Sequence, residues 1–227
     1  MTNQLRFNPF HQIHQALRAL LYHASVTVQH TDFTREESAQ KTLLLIDQVV
    51  TIFEGHAHTE DELVFPMIAS AAPQLVEDFE QQHVKDHQLA TDLVNAMNIC
   101  RISTSAEQRI IAGRKLQRAL TEFAAFNLVH MNLEETLVLD MIHQYYTDEQ
   151  ILAKEMEIVA SLSPEKKIIS GYWMLKGLAI HEIIFWYKKM QQSIPPAAFD
   201  EYIQLAETAL PDDKLKILQE ALQRVAA

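Results

Sequence analysis

The 227-residue sequence is poor in the residues that interrupt helices and in the residues that cross-link chains. It contains 4 glycines, 7 prolines and one cysteine, Cys100. A single cysteine excludes an internal disulfide and a cysteine-based zinc site. The scarcity of glycine and proline favours long helices joined by short loops. The length fits one large domain, or one domain with an extension.

Long apolar runs and an excess of positive charge are also absent. No stretch approaches the roughly 18 apolar residues of a membrane-spanning helix, and the first residues lack the apolar core of a secretory signal. Acidic residues outnumber basic ones by 30 to 19, so the net charge is −11. This charge argues against nucleic acid or an anionic membrane as a partner. We therefore expect a cytoplasmic protein with neither partner.

Apolar residues recur at three- and four-residue steps in four long segments, which is the pattern of amphipathic helices. The four predicted helices cover residues 9–30, 35–69, 73–100 and 106–145. Pro66 should kink or shorten the second helix, and capping boxes are predicted at Thr34 and Ser105. The predicted fold is all-α: an antiparallel up-and-down four-helix bundle over residues 1–146. A C-terminal helical extension, residues 147–227, should pack on this bundle.

Histidine is unusually frequent, with 11 residues in the chain. Four histidines are followed four positions later by another possible metal ligand: His56–Glu60, His58–Glu62, His83–His87 and His130–Glu134. Chance alone gives about two such pairs, so their number decides little. Their heights along a bundle are more informative, because residues at one height lie equally far from the turn between their helices.

The midpoints between successive histidine groups fall at about residues 36, 71 and 108, on or beside the breaks between the predicted helices. One layer therefore receives seven candidate ligands: His14, His56, Glu60, His83, His87, His130 and Glu134. Buried imidazoles and carboxylates need partners, and metal ions supply them. Seven ligands exceed one tetrahedral zinc site but suit two metals that share two bridging carboxylates. Nitrogen and oxygen ligands favour non-haem iron over manganese or zinc.

Two alternatives within this layer concern which histidine points inward. The apolar stripe of the second helix reaches His56 and Glu60, whereas His58 and Glu62 lie about 200° around the helix. In the first helix, His14 shares a face with Leu17 and Leu21, and His11 is the alternative.

Four motifs in these helices resemble the hemerythrin-like family of His-His-Glu cation-binding domains. They are "IHQALRALL", "HAHTEDELVFP", "HVKDH" and "HMNLEE", and the resemblance spans residues 8–145. It implies a bundle around a non-haem di-iron centre with an oxo or hydroxo bridge. By this resemblance, one iron binds His83, His87 and His130, and the other binds His14 and His56. Glu60 and Glu134 bridge them.

The fourth helix departs from the marine oxygen carriers of this family. Glu134 follows His130 by four residues, whereas those carriers have an aspartate five residues on. The pattern is more similar to bacterial relatives, including iron-centre repair and nitric-oxide-response proteins. We therefore expect a di-iron protein that binds a small diatomic ligand, O2 or NO, for carriage, sensing or stress response. Candidates to line its ligand pocket are Leu17, Leu21, Phe53 and Phe126.

Two other functional hypotheses remain open from the sequence. A di-iron enzyme, such as an oxidase, a peroxidase, an NO-detoxifying protein or an iron-centre repair protein, would need a proton donor, for which Tyr22 and Glu54 are candidates. A metal-dependent regulatory or interaction protein could form a homodimer through the C-terminal helices. The aromatic-rich segment "GYWMLKGLAIHEIIFWYKKM" is the candidate dimer surface.

Overall fold

The computed structural model describes residues 6–223, which form α-helices and two π-helical turns without any strand. The first part contains α1 (His11–His30), α2 (Glu36–Thr59), π1 (Glu60–Val64), α3 (Phe65–Ile68), α4 (Pro73–Ile102), α5 (Ala106–Leu133), π2 (Glu134–Val138) and α6 (Leu139–Tyr145). The rest contains α7 (Asp148–Ser161), α8 (Pro164–Gly177), α9 (Ile180–Ser193), α10 (Pro196–Ala209) and α11 (Asp212–Gln223). The outer ends of the two predicted domains, residues 1–5 and 224–227, lie outside the described residues.

The predicted all-α fold is confirmed, and the four long segments agree with the observed helices within two residues at every end. Two of these segments are not regular α-helices, because each contains a π-helical turn. None of the helices in residues 6–223 is long and apolar enough to cross a membrane.

Contacts divide the chain into two units. Of the described residues, the first unit comprises those up to Phe10 together with 20–158, and the second comprises 11–19 together with 159–223. The boundary therefore falls inside α7, beyond the predicted end of the bundle at residue 146. The physical reason is that Ile151 is buried in the core of the first unit, with Ile158 packed against it.

In the first unit, α4 runs along α5, and α2 packs against α4. The turn between α4 and α5 ends in the predicted capping box. There, Gln108 N–H donates to Ser105 Oγ (3.2 Å) and Ser105 N–H donates to the Gln108 side-chain oxygen (3.2 Å). The capping box predicted at Thr34 is wrong. Both the amide and the hydroxyl of Thr34 donate to the Asp32 carboxylate instead, and α2 has Arg35 as its N-cap.

The π-helical turns shift the inward face of their helices by one residue. After Glu134 the predicted stripe continues at Leu137, but Leu137 is 47% exposed and Val138 is 0% exposed. The wider π turn inserts one residue relative to α-helical spacing. In π1 the reason is visible in the sequence, because Pro66 has no N–H and its ring would clash with the carbonyl four residues earlier.

The two π turns lead into a shared apolar cluster. Its buried members come from both turns, from α3, α4, α6 and α7, and from the segment before α1: Phe10, Val64, Phe65, Ile68, Val76, Phe79, Val138, Ile142 and Ile151. The shifted register thus supplies the residues that pack one end of the first unit.

The second unit has its own core, in which α8 packs on α10 and α9 on α11. The buried residues are Leu175, Leu178, Ile183, Tyr187, Ala206, Ala209, Leu210, Leu218 and Leu222. Tyr187 is fully buried, and its hydroxyl donates to the Tyr202 carbonyl (2.8 Å). Trp173 is also buried, whereas Phe185 is 68% exposed. Much of the aromatic-rich segment is therefore core.

The N-terminal turns of α1 belong to this second unit. Gly177, at the end of α8, lies against the backbone of Gln15 so closely that a Cβ would overlap the Gln15 carbonyl. His11 Nε2 is 2.5 Å from a carboxylate oxygen of Glu182. The other Glu182 oxygen accepts from Ala179 N–H (2.8 Å) and caps α9.

The register of π2 predicts that two neighbouring substitutions lower the free energy of unfolding by very different amounts. Val138→Ala should lower the free energy of unfolding by about 2 kcal/mol, because it removes buried methyl groups and leaves a cavity. Leu137→Ala should change it by less than about 0.5 kcal/mol, because that side chain faces solvent. Urea unfolding of both variants checks this, and a larger loss in Leu137→Ala would contradict the π turn.

The close approach at Gly177 predicts a difference between two glycines of one helix. Gly177→Ala should destabilise the second unit by more than about 2 kcal/mol, since the methyl group meets rigid backbone. In Gly171→Ala the nearest atom is the Leu205 side chain at 3.1 Å, which can rotate away. Thermal melts followed by circular dichroism should separate the two variants, and equal melting temperatures would contradict this packing.

Candidate metal centre

Two carboxylates form the middle of the site, and each begins a π-helical turn. Glu60 is 2% exposed and Glu134 is 0% exposed. Each follows a histidine by four residues, so the histidine and the glutamate share a helix face. His56 Nε2 lies 3.2 Å from Glu60 Oε1, and His130 Nε2 lies 3.0 Å from Glu134 Oε1. The sequence therefore identifies both of these pairs.

His83 joins these carboxylates from α4. Its Nε2 lies 3.1 Å from Nε2 of His130, 3.5 Å from Glu60 and 4.0 Å from Glu134. One ligand atom from each of Glu60, His83, His130 and Glu134 falls within 4.8 Å of the others. Ligand atoms of His56, Glu60 and Glu134 also lie within 4.8 Å of one another. Two groups of possible ligands thus share the same two carboxylates.

The outer nitrogens of two rings are bound by neighbouring side chains. His83 Nδ1 is 2.8 Å from Asp61 Oδ1, and His130 Nδ1 is 3.0 Å from Gln82 Oε1. Both partners present oxygen acceptors, so each Nδ1 carries the proton and donates it. Each Nε2 then presents a lone pair to the interior, which is the arrangement found in metal-binding histidines.

The electrostatics of the centre also suit a cation. Burial raises the pKa of Glu60 well above its ordinary value, and the nearby carboxylate of Glu134 raises it further. Two buried carboxylates and two imidazole lone pairs repel one another unless protons or a cation intervene. Neutral imidazole nitrogens and carboxylates are the ligands of transition metals. The chemistry of these donors therefore fits metal ions.

Aromatic rings enclose His83 and His130. Phe65 stacks on His83 with centroids 5.3 Å apart, and Phe126 stacks on His130 at 6.0 Å. Of the other predicted pocket residues, Phe53 packs edge-on against Phe123 at 5.2 Å, and Leu17 and Leu21 are buried. The role of these four residues in lining a ligand pocket stays a prediction.

Of the seven predicted ligands, His87 is exposed and lies outside the groups of possible ligands. The predicted stripe on α4 stepped from His83 to His87, but the buried residues continue through Asp86, Ala90 and Leu93. Steps of three and four alternate along this helix, so position 86 faces inward and position 87 is rotated by about 100°. The alternatives His58 and Glu62 are also exposed, which leaves His56–Glu60 as the inward pair.

Asp86 is a buried polar residue that the sequence reasoning missed. Its carboxylate accepts a hydrogen bond from the Asn127 amide (2.5 Å), which also donates to the Phe123 carbonyl (3.1 Å). Burial raises the pKa of Asp86, while the hydrogen bond from Asn127 opposes that rise. The alternation of three- and four-residue steps along α4 is the signal in the sequence that points to position 86.

His14 is fully buried on α1, as predicted. It lies in the segment His11–Ala19 that contacts assign to the second unit. The alternative in the same segment, His11, is bound to Glu182. His14 is the more buried of these two histidines and stays the candidate ligand of this helix.

Comparison with known protein families agrees with this geometry. Residues 7–151 match the family model described as the hemerythrin HHE cation binding domain. The chain belongs to this family. No curated protein and no solved structure matches the chain. Cation binding is thus the family property, and the matched residues contain every histidine and glutamate of the two groups.

The raised pKa of Glu60 predicts how the metal-free protein responds to pH. The folded state keeps a proton that the unfolded chain releases near the ordinary value of 4.5. As pH rises above about 4.5, the free energy of unfolding of wild type should therefore fall relative to that of the Glu60→Gln variant. The fall should be at most about 1.4 kcal/mol per pH unit. Urea unfolding in chelator across this range measures the difference. A difference between wild type and Glu60→Gln that stays constant with pH would contradict the prediction.

Proposed function

We propose that the protein holds two non-haem iron ions and binds a small diatomic ligand, O2 or NO. The observation that supports it is the sharing of Glu60 and Glu134 between two groups of possible ligands. A carboxylate has two oxygens and can bridge two cations, whereas one cation would leave part of this cluster unused. Two shared carboxylates therefore favour a dinuclear centre over a mononuclear one.

The proposed ligands divide evenly between the two ions. His83 and His130 bind one ion, and His56 with His14 binds the other, while Glu60 and Glu134 bridge. His14 is included because its side chain is fully buried and its helix lies within the residues that match the family model, 7–151. His87 is left out, because its side chain is exposed. The ion with three imidazoles that the resemblance implied becomes an ion with two.

Iron is proposed because of the type and number of donors. No cysteine is near the centre, since the only one, Cys100, lies at the far end of α4. With two imidazoles and two shared carboxylates, each ion would have four protein ligands, and a donor set of imidazole and carboxylate without thiolate suits non-haem iron with open positions. Bound iron supplies redox chemistry and affinity for diatomic ligands at such open positions. The stacked rings of Phe65 and Phe126 would restrict entry to small molecules.

The alternative of an enzyme receives less support from the structure. Both proton donors considered from the sequence, Tyr22 and Glu54, are exposed on their helices. Binding for carriage, sensing or stress response is therefore preferred. A homodimer through the C-terminal helices stays a prediction, for which the exposed Phe185 is the remaining candidate contact. The cytoplasmic location also stays a prediction.

The proposed ligand set predicts which histidines control metal content. Wild-type protein loaded anaerobically should bind about two irons per chain, and aeration or NO should change its visible spectrum. His56→Ala, His14→Ala and His130→Ala should each lower the affinity for one ion more than about tenfold, because each ion depends on only two imidazoles. Metal analysis after dialysis against a chelator measures this.

Two exposed histidines provide matched controls. His87→Ala and His58→Ala remove an imidazole from the same helices and should keep the full metal content. Loss of metal in His87→Ala equal to that in His130→Ala would contradict the proposed ligand set. Wild-type protein that binds no metal would overturn the function itself.

A further inference from the structure

We propose that Asp61 and Gln82 are positioning residues that set the tautomer of the two inward imidazoles and strengthen metal binding through them. The inference rests on the proposed function, because it concerns the same centre. Neither residue is a proposed ligand. Each acts on the ring of a neighbouring helix, through Nδ1 of His83 and of His130.

The placement of the two residues follows from helix geometry. Asp61 directly follows the ligand Glu60, and Gln82 directly precedes the ligand His83. Consecutive residues point about 100° apart on an α-helix such as α4, and somewhat less in the wider π1 turn. When one side chain points to the interior, its neighbour therefore points along the interface with the next helix. In this way Asp61 of π1 binds the ring of His83 on α4, and Gln82 of α4 binds the ring of His130 on α5.

The two hydrogen bonds decide which nitrogen faces the interior. A neutral imidazole carries one proton and exchanges it between its two nitrogens. Without an acceptor at Nδ1, either ring could place the proton on Nε2, where it would block metal binding and point at the opposite ring 3.1 Å away. Asp61 and Gln82 hold the proton outside and leave both Nε2 lone pairs for one ion.

The two partners differ in charge, so they should not act equally. The Asp61 carboxylate makes the ring of His83 a stronger donor, whereas the Gln82 amide orients His130 without adding negative charge. The Asp61 side chain is 40% exposed, so water weakens its effect. We expect losses of affinity near the lower end of the 10- to 100-fold range seen for such partners, about tenfold.

The tautomers can be measured without any metal. Nitrogen-15 NMR of the metal-free protein at a pH where the rings are neutral should show protonated Nδ1 in His83 and His130. Asp61→Ala should move part of the His83 proton to Nε2 and leave His130 unchanged, and Gln82→Ala should do the reverse. Asp61→Asn keeps an oxygen acceptor and should preserve the His83 tautomer. Unchanged tautomers in both alanine variants would overturn the inference.

Metal affinity tests the second half of the inference. In competition with a chelator, Asp61→Ala and Gln82→Ala should bind the iron of His83 and His130 about tenfold less tightly. Asp61→Asn should fall between Asp61→Ala and wild type, because it restores orientation without charge. Gln82→Glu should bind iron more tightly than wild type. Altered tautomers with wild-type affinity would overturn this half.

Exposed neighbours give matched controls for both variants. Glu62→Gln removes a negative charge one position from Asp61, and Gln81→Ala removes an amide one position from Gln82. Both side chains are exposed, and both variants should keep wild-type tautomers and affinity. Equal losses in these controls would show a general surface effect and overturn the inference. Wild-type protein with the expected tautomers and no iron affinity would instead overturn the proposed function.

Discussion

The first unit depends on one costly arrangement, which is the burial of Glu60 and Glu134 side by side. Two carboxylates in an apolar interior raise each other's energy when ionised, and the raised pKa of Glu60 reflects this. Both helices present their glutamates from turns with an altered hydrogen-bond pattern. His56, His83 and His130 surround the pair with nitrogen atoms, and aromatic rings close the outside. A bound cation would turn this repulsion into attraction.

Much of this arrangement could be predicted from periodicity. The positions of His56, Glu60, His83, His130 and Glu134 followed from regular steps along apolar stripes. Their similar distances from the turns between helices predicted that they share one layer. That Asp86 faces inward and His87 faces solvent could not be predicted in this way. Steps of three and of four residues both keep side chains on one face of a helix, so periodicity alone does not decide between positions 86 and 87.

The side chains that hydrogen-bond to the proposed ligands also could not be predicted from the sequence. Asp61 and Gln82 occupy positions that periodicity assigns to the surface, and only the distances to His83 and His130 give them a role. The first π turn had a signal in Pro66, but the second has no proline and no glycine. Nothing in the sequence of π2 therefore indicates that the buried position moves from Leu137 to Val138.

The two π turns also separate the packing on either side of the centre. The carbonyl of the first residue of each turn accepts from an amide five residues later, as Glu60 does from Phe65 and Glu134 from Leu139. Because each turn inserts one residue relative to α-helical spacing, the residues before and after each glutamate reach the interior in different phases. The spacing of each histidine–glutamate pair is therefore independent of the phase of the apolar residues that follow it.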